Sequence, residues 1–260
     1  MSIRVAVAGA TGKLGSVAVR LIEAADDLEL VARLGSRSPL EDMLGADVLV
    51  DMTLPAVSPD IVAFAVDNGM KVLVGTSGWS ADRILDLERR VAAHEGSGAV
   101  VIPNFSLGSA LGTAFATVAA RFFDSIEIIE AHGEGKVDSP SGTAVRTAEL
   151  IGAARADRGP VDAPHTDQRA RGQQVASVPI HSMRMRGVVA QQQVVFGGAG
   201  ETLTIRHDTV GSQSYEAGIL LALRAAASET GVTVGLDKLV DLGIAEPNGE
   251  PPRPTVRENA

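Results

Sequence analysis

Residues 3–15 read Ile3-Arg4-Val5-Ala6-Val7-Ala8-Gly9-Ala10-Thr11-Gly12-Lys13-Leu14-Gly15. Ile3–Ala8 is a short apolar run of the kind that forms a strand buried in a parallel sheet. It enters the glycine turn directly, and a helical pattern with Val17, Leu21 and Ile22 follows. Glycines spaced G-x-x-G-x-x-G between strand and helix let the backbone approach a pyrophosphate and let the helix pack close to the sheet. Spacing alone is a weak signal, and a tight turn without a ligand is the competing reading. Lying between a strand and a helix, however, the motif has the context that a dinucleotide site requires.

Outward from this turn, Leu28–Leu34 reads as the next strand, ending where an adenosine ribose would lie. Sites that prefer NAD place an Asp or Glu there for the 2′-hydroxyl. This chain has Arg33-Leu34-Gly35-Ser36-Arg37 instead. No acid is present to repel a 2′-phosphate, and Ser36 with Arg37 or Arg33 can bind one. NADPH is therefore expected over NADH, with NADH the alternative cofactor and two solvated arginines the bland reading. The alternation continues through Val48-Leu49-Val50, a helix near 58–68, Lys71–Val74, a helix rich in Leu, Glu and Arg, and Val100-Val101-Ile102. Such a series implies an α/β fold, here a Rossmann-like dinucleotide-binding domain with helices on both faces of a parallel sheet. Ligands in these sheets lie beyond the carboxyl ends of the strands. Thr53, Gly75, Thr76, Pro103, Asn104 and Phe105 stand in the loops there, where Thr53, Thr76 and Asn104 also serve equally well as turn residues.

Composition narrows the function. The 260 residues are 45% hydrophobic, which suits a folded chain with a sizeable core. A formal net charge of −9 argues against general nucleic-acid binding, and the absence of cysteine excludes disulfides and thiolate chemistry. No signal peptide or membrane-spanning run is legible, so a cytoplasmic protein without a membrane partner is expected.

Residues 126–144, IEIIEAHGEGKVDSPSGTA, carry the second signal. An apolar strand (Ile126, Ile128, Ile129) runs into a loop bearing His132 and Lys136, and a helix begins near Ser141-Gly142-Thr143. A helix N-terminus beside a lysine favours a small anion, and a histidine can supply a proton. In the bland reading Ser141 caps the helix and Lys136 is solvated. Around this stretch a helix over 107–121, one over about 143–155, a polar mobile loop over 156–174 and strands over 177–186, 188–196 and 202–207 are expected. Gly197-Gly198-Ala199-Gly200 would join the last two strands. With residues 126–130 these make an α+β region around a mixed sheet of roughly four strands. A helix near 215–229 follows.

The GATGKLG start, the GTSG turn, PNFSLG, EAHGEGKVDSPSGTA, IHSMRMRG and FGGAGETLTIRHDT occur in the order seen in bacterial 4-hydroxy-tetrahydrodipicolinate (dihydrodipicolinate) reductases. The chain resembles that family over residues 3–244. The resemblance implies a dinucleotide-binding domain, over 1–105 and 215–245, and a substrate-binding and tetramerisation domain, over 106–214; the tail over 246–260, with four prolines, is expected to be disordered. It implies NAD(P)H-dependent reduction of a cyclic conjugated imine in lysine and diaminopimelate biosynthesis, by a homotetramer acting on a small molecule without a metal. By the same resemblance Gly9, Gly12 and Gly15 meet the cofactor phosphates, with Thr11, Lys13 and Leu14 in the same loop. Gly75, Thr76, Pro103, Asn104 and Phe105 line the nicotinamide. His132 is the matching general acid, Lys136 assists protonation and holds a substrate carboxylate, and Ser141, Gly142 and Thr143 hold a carboxylate.

The chain also departs from its pattern. Gly133 replaces a second histidine, Gly211-Ser212-Gln213-Ser214-Tyr215 lacks the usual arginine, and Gln191 stands in place of a histidine. Arg184, Arg186, Arg206 and His207 are the candidates to compensate. A paralogue reducing a related cyclic imine carboxylate, and a nucleotide-binding homologue without catalysis, are the alternatives.

Overall fold

The computed structural model describes residues 2–241, so the tail expected to be disordered, 246–260, lies outside them. The strands are β1 (Ile3–Ala8), β2 (Leu28–Leu34), β3 (Val48–Asp51), β4 (Lys71–Val74), β5 (Gly98–Val101), β6 (Ser125–His132), β7 (Gln173–Val175), β8 (Val178–Arg184), β9 (Ala190–Gly198), β10 (Glu201–Thr209) and β11 (Gly231–Val234). The helices are α1 (Lys13–Glu23), α2 (Ser58–Asp67), α3 (Ala81–Ala92), α4 (Leu107–Ala119), α5 (Gly142–Ala154) and α6 (Glu216–Ser228). Two compact units result, one formed by residues up to Ile102 with those from Leu220, the other by Pro103–Ile219. Among the described residues no helix is long and apolar enough to cross a membrane.

The first unit holds a six-stranded sheet in the order β11-β5-β4-β3-β1-β2, every pair parallel. Its central strands are buried on both faces, which is why they read as continuous apolar runs rather than alternating ones. The chain leaves β1 for β2 on one side and returns to β3 on the other. This reversal at β1 opens a crevice at the carboxyl ends of β1 and β3, the usual ligand position in such sheets. The core packs Leu49, Val72 and Ala99 of the sheet against Val62 and Val66 of α2 and Leu87 and Val91 of α3.

The second unit holds a five-stranded mixed sheet, β10-β9-β6-β8-β7, in which β6 and β8 are parallel and the other pairs antiparallel. The additional strand, β7, falls at the end of the stretch expected to be a loop. Ala176 and Ser177 make its turn into β8 with φ values of 47° and 68°. Such positive values normally call for Asn or Gly, so the sequence there carried no hairpin signal. The segment 156–172 is anchored as well. Val161 is buried in the second core, and its N–H donates to Ser177 Oγ at 3.0 Å. Arg155, 3% exposed, donates to the carbonyls of Ala120 (2.8 Å), Phe123 and Pro160 (3.2 Å). Helices α4 and α5 pack on the face of the sheet that presents Ile126, Ile128, Val194 and Phe196. The alternating residues of β6, Glu127 and Ile129, face the other way and are only half-buried. Glu127 there accepts hydrogen bonds from Arg171 and from His181 Nε2 (2.7 Å).

Candidate active site

The glycine turn is shaped by close contact. Gly9 has φ +77°, and a Cβ on it would lie 2.4 Å from the Met52 carbonyl oxygen; one on Gly15 would lie 2.0 Å from the Gly9 oxygen. Neither position admits a side chain. Gly9 N–H and Ala10 N–H both donate to Leu34 O, at 2.9 and 3.2 Å, which pins the turn to the end of β2. Helix α1 starts at Lys13 with no side-chain cap and no acid in its first turn. Its first N–H groups and exposed Lys13 therefore face solvent beside exposed Thr11 and Gly12, while Leu14 is half-buried. A turn stripped of side chains in front of an uncapped helix N-terminus fits the pyrophosphate of a dinucleotide.

At the end of β2 the structure divides the two candidate arginines. Arg33 forms an ion pair with Glu23 of α1, with both side chains about half exposed. Ser36 and Arg37 are exposed, and Arg37 has no partner among the described residues. Thr53 and Thr76 prove to be engaged internally. Thr53 donates to Asp51 Oδ1 through its N–H (3.1 Å) and its hydroxyl (2.5 Å), while Thr76 Oγ1 accepts from Thr53 N at 2.8 Å. Gly75 N–H donates to Asp51 O at 2.9 Å. What this loop pair offers a ligand is backbone and shape. The same holds for the next turn. Asn104 accepts from Ser106 N (2.9 Å) and donates to Ser109 Oγ (3.1 Å), Phe105 is 2% exposed, and Pro103 is exposed.

The second unit carries the candidate acid, His132. His132 ends β6 and stands in register with Arg184 of β8. Two residues earlier, Glu130 lies on the core-facing side of the strand, fully buried. Its Oε2 bonds His132 Nδ1 at 2.6 Å, both oxygens accept from Arg184 at 2.9 Å, and Oε1 accepts from Ser141 N at 3.2 Å. Burial pushes the Glu130 carboxyl up, but the hydrogen bonds from Arg184, Ser182 and His132 outweigh it and hold the group below its ordinary range, as an anion. A carboxylate on Nδ1 orients the imidazole and leaves Nε2 as the ring nitrogen without a protein partner among the described residues.

Around this relay sit the anion-binding candidates. Lys136 Nζ lies 2.8 Å from Asp138 Oδ1, in an ion pair whose carboxylate is 58% exposed. The hydrogen bond from Lys136 outweighs burial and lowers the Asp138 carboxyl. Ser141 is turned inward: its hydroxyl accepts from Ala144 N at 3.2 Å as the α5 cap, and its N–H is taken by Glu130. It is therefore a structural residue rather than an open carboxylate contact. Gly142 N–H and Thr143 N–H, first in the helix, remain pointed outward, and the Thr143 hydroxyl has no partner among the described residues. The sheet cations named as candidates to compensate each have a partner, of which only the Arg184 pair is largely buried. Arg184 serves Glu130, Arg186 pairs with Glu134 and Arg206 with Asp208, while His207 Nε2 lies 3.2 Å from Ser106 Oγ. Glu130, Arg184 and Asp51 were missed or misjudged from sequence. Glu130 had left a signal, since it continues the Ile126, Ile128 face of an apolar alternation with a charge.

Residues 3–105 match the family described as "Dihydrodipicolinate reductase, N-terminus", and residues 108–240 match "Dihydrodipicolinate reductase, C-terminus". The chain belongs to the dihydrodipicolinate reductase family. It is 64% identical over 242 residues to the 4-hydroxy-tetrahydrodipicolinate reductase of Clavibacter sepedonicus, covering 93% of this chain and 87% of the relative. It is 46% identical over 246 residues to the Streptomyces griseus protein of the same name, covering 92% and 98%. The dipicolinate-bound dihydrodipicolinate reductase of Paenisporosarcina sp. TG-14 superposes with a TM-score of 0.80 at 30% identity, covering 92% of this chain and all of that one. Membership of the dihydrodipicolinate reductase family makes the chain an oxidoreductase that uses NAD(P)H. The glycine turn and uncapped α1 described above are the parts that would hold it.

Proposed function

We propose that the chain reduces 4-hydroxy-tetrahydrodipicolinate to tetrahydrodipicolinate in lysine and diaminopimelate biosynthesis, with His132 as general acid and Lys136 as carboxylate partner. The observation that carries this reading is the His132–Glu130–Arg184 relay, set on the same loop as Lys136 and leading to the open first turn of α5. Bound NAD(P)H supplies the hydride. His132 Nε2 gives the matching proton to the substrate, and the anionic Glu130 on Nδ1 keeps the ring oriented through the transfer. Lys136 exchanges Asp138 for a substrate carboxylate, a swap that costs little because an exposed ion pair is worth about 0–1 kcal/mol. Gly142 N–H and Thr143 take a carboxylate at the positive end of α5.

In this reading the unit built on the glycine turn is the dinucleotide-binding domain and the Pro103–Ile219 unit is the substrate domain. The half-buried face of its sheet around Glu127 and Ile129 would pair with further copies in a cytoplasmic homotetramer. Arg37, unpaired beyond the end of β2 with Ser36, favours NADPH over NADH. A second reading, reduction of a related cyclic imine with a single carboxylate, is favoured by one observation: Arg184, Arg186 and Arg206 are each already paired with a carboxylate. Mixing the protein with NADPH and enzymatically generated 4-hydroxy-tetrahydrodipicolinate should oxidise the cofactor. Absence of turnover with both NADPH and NADH would refute the first reading, and turnover only with a monocarboxylate imine would establish the second. Light scattering at working concentration should return a tetramer mass.

A further inference from the structure

We infer that Asp51 is a positioning residue for the cofactor end of the reaction, its buried carboxyl group fixing the loops after β3 and β4 against the glycine turn. The inference rests on the dinucleotide reading of that turn. Asp51 ends β3 and is fully buried. It has no basic partner among the described residues, so its buried polar atoms depend on hydrogen bonds from neighbouring side chains and backbone. Three donors converge on it: Thr53 N–H and Thr53 hydroxyl on Oδ1, and Ser58 hydroxyl on Oδ2 at 2.5 Å. Ser58 Oγ in turn accepts from Trp79 Nε1 at 2.9 Å. Because the indole N–H can only donate, the direction of the chain is set: Trp79 to Ser58 to the Asp51 carboxylate.

These contacts tie together the turns after β3 and β4. Thr53, Met52 and Leu54 belong to the turn after β3. Trp79, Thr76 and Gly75 belong to the turn after β4, which is tied to Asp51 a second time by Gly75 N–H on its carbonyl. On the other side Met52 N–H donates to Ala8 O at 2.9 Å, and Met52 O occupies the place a Gly9 Cβ would need. The carboxylate thus holds the turns after β3 and β4, and the Met52 backbone carries that position to the turn after β1. Holding the fold alone would need no charge here, since an apolar residue could end β3 as Val74 ends β4. The charge matters for the turns because only a carboxylate accepts at both oxygens. With Asn at position 51, one oxygen becomes an N–H donor. If it faces Ser58, that hydroxyl receives two donors and its own proton is left without an acceptor.

The test uses the full-length protein with NADPH as the probe and compares wild type, Asp51→Asn and Ser58→Ala. Losing one charge-assisted bond should raise the Kd for NADPH by about tenfold in Asp51→Asn. The rate at saturating NADPH should fall less than the KM rises, a split that a merely structural role would not produce. Trp79 is the single tryptophan of the chain, so its emission reports the network directly and should shift in both variants. Asp51→Asn that melts earlier but binds NADPH as wild type does would overturn the inference. If Asp51→Asn fails to fold, Ser58→Ala decides: a shifted Trp79 emission with a weakened Kd supports the role, and an unchanged Kd overturns it. Wild-type protein that binds no dinucleotide would instead overturn the reading beneath.

Discussion

Replacing Glu130 by Gln separates proton delivery from stability at one residue. The side chain keeps its shape but loses its charge, and one of its two oxygens becomes a donor. Arg184, 18% exposed, then retains half of a bidentate partner and the Asp138 carbonyl at 2.6 Å. Removing one member of a buried ion pair costs about 3–5 kcal/mol; the oxygen that remains should reduce this to roughly 2–3 kcal/mol. The melting midpoint should fall by about 5–10 °C. If the amide oxygen faces Arg184 and Ser141, the amide N–H₂ faces His132 Nδ1 and drives the ring proton to Nε2 while disfavouring imidazolium. The rate at saturating NADPH and substrate should then fall by about 10²-fold, within the range a general acid supplies. Because the Glu130 carboxyl is held below its ordinary range, its contribution to stability is present above the unfolded-state value near 4.5 and is lost as pH falls through the lower folded value. Wild type should therefore lose stability in acid below about pH 4.5 more steeply than Glu130→Gln. The double variant Glu130→Leu with Arg184→Met recovers much of the lost stability, since a buried pair replaced by apolar residues is often neutral. It should not recover the rate. A Glu130→Gln enzyme within threefold of the wild-type rate would refute the relay.

Lys136→Ala should raise the substrate KM by 10-fold or more through loss of a charge-assisted contact of about 1.5–3 kcal/mol. Asp138→Ala should lower that KM or leave it alone because it frees Lys136, and steady-state kinetics on both variants distinguishes this from a structural ion pair. Arg37→Ala should reduce the NADPH-to-NADH ratio of kcat/KM by about tenfold. Arg33→Ala, already paired with Glu23, should change the ratio little, and the opposite order would assign the 2′-phosphate to Arg33. Gly15→Ala should abolish dinucleotide binding, measured by calorimetry, because its Cβ would lie 2.0 Å from the Gly9 oxygen. Gly35→Ala, with nothing within 4 Å, should bind normally.

What the sequence determined by itself was local. The apolar run of β1, the glycine turn and the start of α1 follow from contacts within a dozen residues. So do the successive strand–helix units of the first sheet and the Ser141 cap of α5. Periodicity and turn chemistry encode such features directly, whereas the sheet order and the edge strand β11 came from the tertiary structure. Partner choice between distant segments is different, because it depends on register. Arg184 reads as a spare cation in IHSMRMRG; the parallel pairing of β6 with β8 puts His132 level with it and gives its guanidinium to Glu130, 54 residues away in the chain. Arg33 is paired with Glu23 of a neighbouring helix, and Lys136 with Asp138 of its own loop. Strand β7 escaped notice because its turn uses Ala176 and Ser177 in a backbone conformation that composition does not advertise. The chemical groups of the candidate site were thus legible in one dimension. Which of them are free to meet a ligand was decided only by the tertiary structure, since a charge is spent or available according to what stands within about 3–4 Å of it.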